Sequence, residues 1–379
     1  MNKFVFRPVG QGLFYTGSLL NYNYNFVYDC GTENCQKIIN QEISKYKKEV
    51  VKYASKPLLD FVVISHLHND HYSGLFELIK NLKVKKIYLP YLNFYTSDVL
   101  RLYLFYDLFV DNNRDENQSD YSIALYRLLE SLYGLSNDNL YREYFGDFEY
   151  IESAKIVECQ YGDKSYWEFK FLYNKAKESK INEINNNCKI FLNNAKCTSM
   201  EEFIKQNEKN IDVIAAAYKQ IFGKGNSLNN TSIILLHYPT EERKYLKYCN
   251  YDNYEYGKPH YCICEECKYN DLFMCAHLRS SYGITLLTGD VLINKATAEE
   301  LKQCVAYKDL TIMQVPHHGS LANWNAVCKY SIVSDIYIIP FGHGNHYGHP
   351  HVRVIDDLMS KLNEFYCVTQ KQGYIYFIS

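Results

Sequence analysis

Apolar positions recur along this chain with two spacings, and each predicts a different element. Residues 3–9 and 13–21 alternate apolar and polar side chains, the period of a half-buried strand, and Gly10-Gln11-Gly12 between them predicts a tight turn. Residues 25–28 continue the sheet up to Asp29-Cys30-Gly31-Thr32. Over residues 35–50 the spacing changes: Ile38, Ile39 and Ile43 mark the apolar side of a helix that Thr32 is placed to cap. Residues 58–64 form a continuous apolar run that predicts a buried strand. Residues 75–82 predict a helix, and residues 84–89 another strand, closed by Pro90. Strand, turn, strand, helix, strand, helix, strand is the beginning of a layered α/β domain.

Between residues 91 and 230 the rhythm changes. Ser97 caps a helix rich in tyrosine and leucine, and residues 119–133 form another that stops at Gly134. A strand is expected near residues 166–173. Ser199-Met200-Glu201-Glu202 is a capping box that opens a helix running to Gly223. Residues 111–120 and 182–187 are polar and read as exposed loops. The region reads as a helical elaboration covering one edge of the core, as scaffold or substrate lid. Residues 231–237 resume the sheet and pair with residues 283–287 across a cysteine-rich insertion, residues 239–282. Residues 310–315 and 335–340 add two further strands. The expected organisation is a single domain over residues 1–379.

Composition narrows the classes. A hydrophobic fraction of 47% over 379 residues fills a sizeable core, and a net charge of −2 gives no global pull toward a polyanion. Two basic clusters, Lys45, Lys47, Lys48 and Lys52, then Lys80, Lys83, Lys85 and Lys86, read as solvated helix ends and turns rather than a phosphate-binding rim. The first residues start directly in a strand pattern, and no apolar run approaches a membrane span. With 13 cysteines, an odd number and no secretory signal, a cytoplasmic location with mostly free thiols is expected.

The chemistry gathers where strands end. The run 58–64 leads into His66, His68, Asp70 and His71, spaced H-x-H-x-D-H. Histidines at i and i+2 of an extended segment point to one side, so His66 and His68 can share one metal. Asp70 and His71 follow as the chain turns and can face a second. Imidazole with carboxylate suits zinc, with manganese among its competitors. A polar loop whose histidines only make hydrogen bonds is the plain alternative, but three histidines and a carboxylate within six residues favour the metal. Three later strands also end in candidate ligands or proton donors: Thr288-Gly289-Asp290, Pro316-His317-His318-Gly319-Ser320, and the stretch from Phe341 through His349 to His351. Packing alone gains nothing from gathering polar groups at one end of a sheet.

Together with Val9-Gly10-Gln11-Gly12, Val27-Tyr28-Asp29-Cys30-Gly31 and Asn345-His346-Tyr347-Gly348-His349-Pro350, these segments resemble the metallo-β-lactamase fold, and within it the ComEC-like branch of hydrolases. The resemblance implies an α/β fold, an αββα four-layer sandwich, holding two divalent metal ions. By matching motif, His66 and His68 bind the first ion, Asp70 and His71 the second; Asp290 bridges them and His349 is a further ligand. Asp29 would orient the His66–His71 loop by hydrogen bonding, and His317 or His318 would be a ligand or the proton donor to the leaving group. Two departures stand out. Leu13 occupies a position that is usually aspartate in this branch. After His71 no histidine follows until His237, a strand residue, so water or His317 would complete the first ion.

Such a site implies hydrolysis by a metal-activated water. A phosphodiesterase or nuclease acting on a nucleotide or nucleic acid is the expectation. A hydrolase of small acyl compounds or thioesters, and a metal-binding regulatory module working with a protein partner, for example in antiviral defence, are the alternatives. A separate structural zinc is expected in the insertion. Cys264 and Cys267 have C-x-x-C spacing, and Cys275 with Cys262 or His277 would close a tetrahedral set. A reduced loop without metal is the competing reading there.

Overall fold

The alternating N-terminal pattern builds three neighbouring strands, β1 (Asn2–Phe6), β2 (Phe14–Leu19) and β3 (Tyr24–Cys30), paired antiparallel with Lys3 opposite Ser18 and Tyr15 opposite Tyr28. The structure is a computed structural model that describes residues 2–53, 58–110, 119–135, 145–151, 155–173, 178–223, 232–240, 244–250, 279–281, 283–305, 310–361 and 363–378. Helix α1 (Gln36–Tyr53) buries Ile39, Ile43, Tyr46 and Val50, which follow one another at helical spacing along one face. Thr32 does not cap it. Its hydroxyl donates to the Val9 carbonyl and accepts the Asn34 N–H, which fixes the preceding loop instead.

The apolar run 58–64 divides into β4 (Leu58–Leu59) and β5 (Phe61–Val63), because Asp60 turns its N–H to the Asn25 carbonyl at 2.7 Å and its carboxylate to the Asn25 N–H at 2.8 Å. The short helix α2 (Asn69–Tyr72), α3 (Leu75–Asn81) and β6 (Lys83–Pro90) follow.

Helix α4 (Ser97–Phe105) is capped by Thr96, whose side chain accepts the Val99 N–H, rather than by Ser97. It runs on into a single π-helical turn, Tyr106–Val110. After α5 (Ser119–Leu132) come three strands, β7 (Phe145–Ile151), β8 (Lys155–Tyr161) and β9 (Lys164–Tyr173). Only the last of them was legible, because β8 lies at a sheet edge and exposes most of its residues. Helices α6 (Glu178–Ala195), α7 (Met200–Asn207) and α8 (Ile211–Phe222) complete the region. Ser199 accepts the Glu202 N–H as expected, but the helix it opens stops at Asn207 and α8 begins anew after Asn210.

The remainder runs β10 (Ile233–Pro239), β11 (Lys244–Asn250), β12 (Arg279–Ser281), β13 (Thr285–Leu287), α9 (Lys295–Val305), β14 (Leu310–Gln314), α10 (Leu321–Lys329), β15 (Ser334–Pro340), α11 (Val352–Ser360), β16 (Glu364–Val368) and β17 (Tyr374–Ile378). Residues 251–278 of the cysteine-rich insertion, with Cys262, Cys264, Cys267, Cys275 and His277, lie outside the described residues.

Two sheets result. One has the order β12-β11-β17-β1-β2-β3-β5-β6-β4, with β7 also paired to β6; the other has the order β16-β15-β14-β13-β10-β9-β8. Strand β10 pairs antiparallel with β13, Leu235 opposite Leu287, as the sequence pattern anticipates. Phe4, Phe26, Phe61, Trp167, Phe169, Leu235 and Ile338 fill the layer between the sheets. Outside the first sheet, α1 and α3 join the helices of the elaboration in a second core that includes Ile39, Leu78, Leu102, Leu128 and Ile184. Outside the second sheet, α9, α10 and α11 bury Leu301, Trp324 and Leu358. Helices thus cover both outer faces of a two-sheet sandwich, an αββα arrangement. Among the described residues, no helix is long and apolar enough to cross a membrane.

Candidate metal centre

Strands β3, β5, β13, β14 and β15 bring their C-terminal ends to one place. Strand β5 delivers Ser65, His66 and His68, and α2 presents Asp70 and His71. Asp290 follows β13, and His317 and His318 lie in a 3-10 turn after β14. The convergence depends on close backbone approaches. A Cβ on Gly31 would lie 2.3 Å from the Asp70 carbonyl carbon, so only glycine lets β3 lean on α2. Gly289 combines a left-handed φ of +54° with a Cβ position 2.8 Å from Ser65 Oγ, which admits Asp290 to the site.

Hydrogen bonds fix which nitrogen of each ring turns inward. Asp29 Oδ1 accepts the Ser65 N–H at 2.6 Å, and Oδ2 accepts the Ser65 hydroxyl at 2.7 Å and His71 Nδ1 at 2.7 Å. The Ser65 hydroxyl spends its one proton on Asp29, so at 2.9 Å it accepts from His66 Nδ1. Both rings therefore carry a proton on Nδ1 and turn Nε2 inward. His318 Nδ1 donates to the Pro340 carbonyl at 2.9 Å and Nε2 donates to Asp70 Oδ2 at 2.8 Å, so a cation on the inner side of the ring would take the place of the Nε2 proton.

The inward atoms meet at Asp290. Its Oδ1 lies 3.2 Å from His71 Nε2 and 3.8 Å from His318 Nε2, and its Oδ2 lies 3.7 Å from His66 Nε2 and 3.5 Å from His317 Nε2. Buried polar atoms are almost always hydrogen-bonded. Here His66 Nε2, His71 Nε2 and both Asp290 oxygens are buried and make no hydrogen bond. Two unpartnered nitrogens and a carboxylate around one space are satisfied together by a cation, which displaces any proton they hold. The residues fit divalent metal, in two overlapping groups: Asp70, His71, Asp290 and His318, and His66, His68 and Asp70. Nitrogen and oxygen donors without thiolate suit zinc or manganese.

Electrostatics agree. Burial disfavours charge on Asp290 and Asp70, yet the histidines around them outweigh it and hold both carboxyls well below the usual range. Burial likewise disfavours the imidazolium of His71, but Asp70, Asp290 and Asp29 lift it well above its ordinary value. His68 rises to about 10 against its burial, through its hydrogen bond and proximity to Asp70. His66 is driven well below the ordinary value by burial and by His71. The site holds anionic carboxylates whose charge protons balance and a cation can balance in their place.

The structure brings together Asp29, His66, His68, Asp70, His71, Asp290 and His318. His317 stands at the rim with its side chain 32% exposed. His349 belongs to neither ligand group; its ring centroid lies 5.3 Å from that of His317, and burial and the neighbouring His317 lower it to about 4. His237 is remote from the site, in the layer between the sheets, with Tyr15 and Trp167 at its nitrogens. Three contributors escaped the sequence reading. Ser65, which relays Asp29 to His66, was hidden only by its small size beside a conspicuous motif. Glu33, raised to about 7 by burial and by Asp70, and Asp107, 3.8 Å from His68 Nε2, carried no local signal at all.

No curated protein matches the chain. A solved structure described as a metal-dependent hydrolase of the beta-lactamase superfamily shares 10% identity with it, covering 98% of this chain and 97% of its own with a TM-score of 0.39. Residues 19–117, which carry β3, β5, α2 and the whole H-x-H-x-D-H segment, match the model of the metallo-beta-lactamase superfamily.

Proposed function

We propose that this chain is a metal-dependent hydrolase that cleaves phosphodiester bonds in a nucleotide or nucleic acid. The observation that carries the hydrolase reading is the set of four buried, unsatisfied donor atoms on His66, His71 and Asp290. Two divalent ions, zinc or manganese, would supply a nucleophilic hydroxide at neutral pH and neutralise charge on the scissile group.

The chain's own residues divide the remaining work. His66, His68 and Asp70 would hold one ion, and Asp70, His71 and His318 the other, with Asp290 between them. Asp29 and Ser65 keep the protons of His71 and His66 on Nδ1. His317, partly exposed and 3.5 Å from Asp290, is placed to give a proton to the departing oxygen. An alkoxide leaving group needs that proton more than a thiolate does, which favours a phosphodiester over a thioester. The sequence resemblance to the ComEC-like branch supports the same substrate class.

The test is to load the purified chain with zinc, manganese or magnesium. It is then offered single- and double-stranded DNA, RNA, cyclic nucleotides and an acyl thioester, with His68→Ala as control. Phosphodiester cleavage that the variant loses is the expected result. Thioester cleavage alone would move the chain to the acyl hydrolases, and no turnover of any substrate under all three metals would sink the hydrolase.

A further inference from the structure

The helical elaboration sends one acidic side chain to the metal centre. Asp107 sits in the π-helical turn that extends α4, and it is 3% exposed among Leu104, Leu108 and other apolar neighbours in the chain. Isolated π turns recur at functional positions, where they re-aim a side chain that a regular helix would present elsewhere. Asp107 Oδ2 accepts a short hydrogen bond from the Tyr72 hydroxyl, and Oδ1 lies 3.8 Å from His68 Nε2. Tyr72 immediately follows His71 on α2. The carboxylate is thereby stitched to the same short helix that presents Asp70 and His71.

The two nitrogens of His68 have different surroundings. Nδ1 donates to Asp70 Oδ1 at 3.0 Å, inside the group that His68 forms with His66 and Asp70, so a cation held by that group would take the place of the Nδ1 proton. Nε2 turns the other way, to Asp107. A histidine that binds a cation through one nitrogen keeps its proton on the other, and the acceptor of that proton sets ring orientation and ligand basicity. His71 has Asp29 for this purpose, His66 has Ser65, and His318 has the Pro340 carbonyl. A buried carboxylate is costly unless it is matched. Tyr72 hydrogen-bonds one oxygen of Asp107, and the His68 ring lies at ion-pair distance from the other.

We propose that Asp107 is a positioning residue of the metal centre: it accepts the Nε2 proton of His68, holds Nδ1 toward the ion, and makes the elaboration part of the first metal site, a role that rests on the metal-dependent reading above. At 3.8 Å the pair is at ion-pair distance, and a small rotation of the His68 ring would bring it within hydrogen-bond reach.

The test uses the full chain as wild type, Asp107→Asn and Tyr72→Phe, each stripped and reloaded. Zinc affinity is measured by competition with a chromophoric chelator, and the visible spectrum of the cobalt form is recorded. Wild type should bind two ions. Asp107→Asn should bind one of them about 10- to 100-fold more weakly, with shifted cobalt bands, and keep the other unchanged. Tyr72→Phe, which retains the carboxylate but loosens it, should shift both readouts the same way by less. Equal affinities and superimposable cobalt spectra in wild type and Asp107→Asn would overturn the proposal. If circular dichroism shows Asp107→Asn unfolded, Tyr72→Phe decides, and wild-type affinity and spectrum there would overturn it. A wild-type chain that takes up no ion would sink the metal-dependent reading itself, a result distinct from two ions bound equally by both proteins.

Discussion

Replacing His237 with glutamine should flatten the acid side of the stability profile while leaving the metal content unchanged. His237 is fully buried between the sheets. Trp167 donates its indole N–H to Nδ1 at 3.3 Å, and an indole can only donate, so Nδ1 is bare and Nε2 carries the proton to the Tyr15 hydroxyl at 2.7 Å. Tyr15 passes its own proton to Tyr376 at 2.7 Å, and Tyr376 to Thr285 at 2.6 Å. A second proton on His237 would point at the Trp167 N–H in an apolar layer. Burial accordingly pushes the imidazole down from 6.5 to about 3.

The sign follows from where protons bind. Above about pH 6.5 the ring is neutral both folded and unfolded, and its full contribution is present. As pH falls below that value the unfolded chain takes up a proton that the folded chain refuses. Stability is then lost at about 1.4 kcal/mol per pH unit, until the folded ring itself titrates near pH 3. Across the whole window the loss is about 4–5 kcal/mol, and down to about pH 4.5 it is nearly 3. Glutamine can accept from Trp167 and donate to Tyr15 but does not titrate. Losing the ring stacked on Phe4, at a centroid distance of 5.1 Å, should cost the variant about 1 kcal/mol near neutral pH. Urea unfolding in the presence of a chelator, which removes differences in bound metal, should therefore find wild type ahead near neutrality and behind at about pH 4.5. Stability curves that run parallel across that range would refute the assignment, and a stoichiometric loss of metal in the variant would make His237 a ligand.

Two further substitutions probe the site. Asp290→Asn removes the charge that His66, His71, His317 and His318 surround, so metal content and turnover should both collapse. Circular dichroism should stay at wild type, because the side chain makes no hydrogen bond and Asn323 holds the backbone carbonyl at 3.1 Å. Asp29→Asn disturbs three buried hydrogen bonds to Ser65 and His71 at once. It should lower stability by about 2–4 kcal/mol and weaken metal binding about 10- to 100-fold in a chelator competition. Unchanged affinity would free Asp29 from any orienting part.

Much of the site was written locally. Spacing alone puts His66 and His68 on one side of an extended segment, and glycine followed by Asp290 after an apolar run marks a strand end. The alternating N-terminal strands and the face of α1 were equally plain, because a side chain's direction there depends only on its own backbone period. The sequence reading went wrong where the deciding partner was distant. Thr32 has the chemistry of a cap, but the Val9 carbonyl takes its proton. Strands β7 and β8 lacked a strand signal because each pairs with a strand that supplies its order, β6 and β9.

The sequence by itself determined the donor inventory and its order along the chain, since ligand type is a property of each residue. Only the tertiary structure decided which nitrogen of each ring turns inward, because that depends on hydrogen bonds made by Asp29 and Pro340 from other strands and by Ser65, which Asp29 orients. It likewise separated His318, drawn in beside Asp70, from His317 at the rim and His349 beyond it. It set His237 in the core and brought Asp107, 39 positions after His68, to that residue's second nitrogen. Periodicity encodes which face a residue occupies; which faces meet is settled by packing two sheets and their helices around a common apolar core.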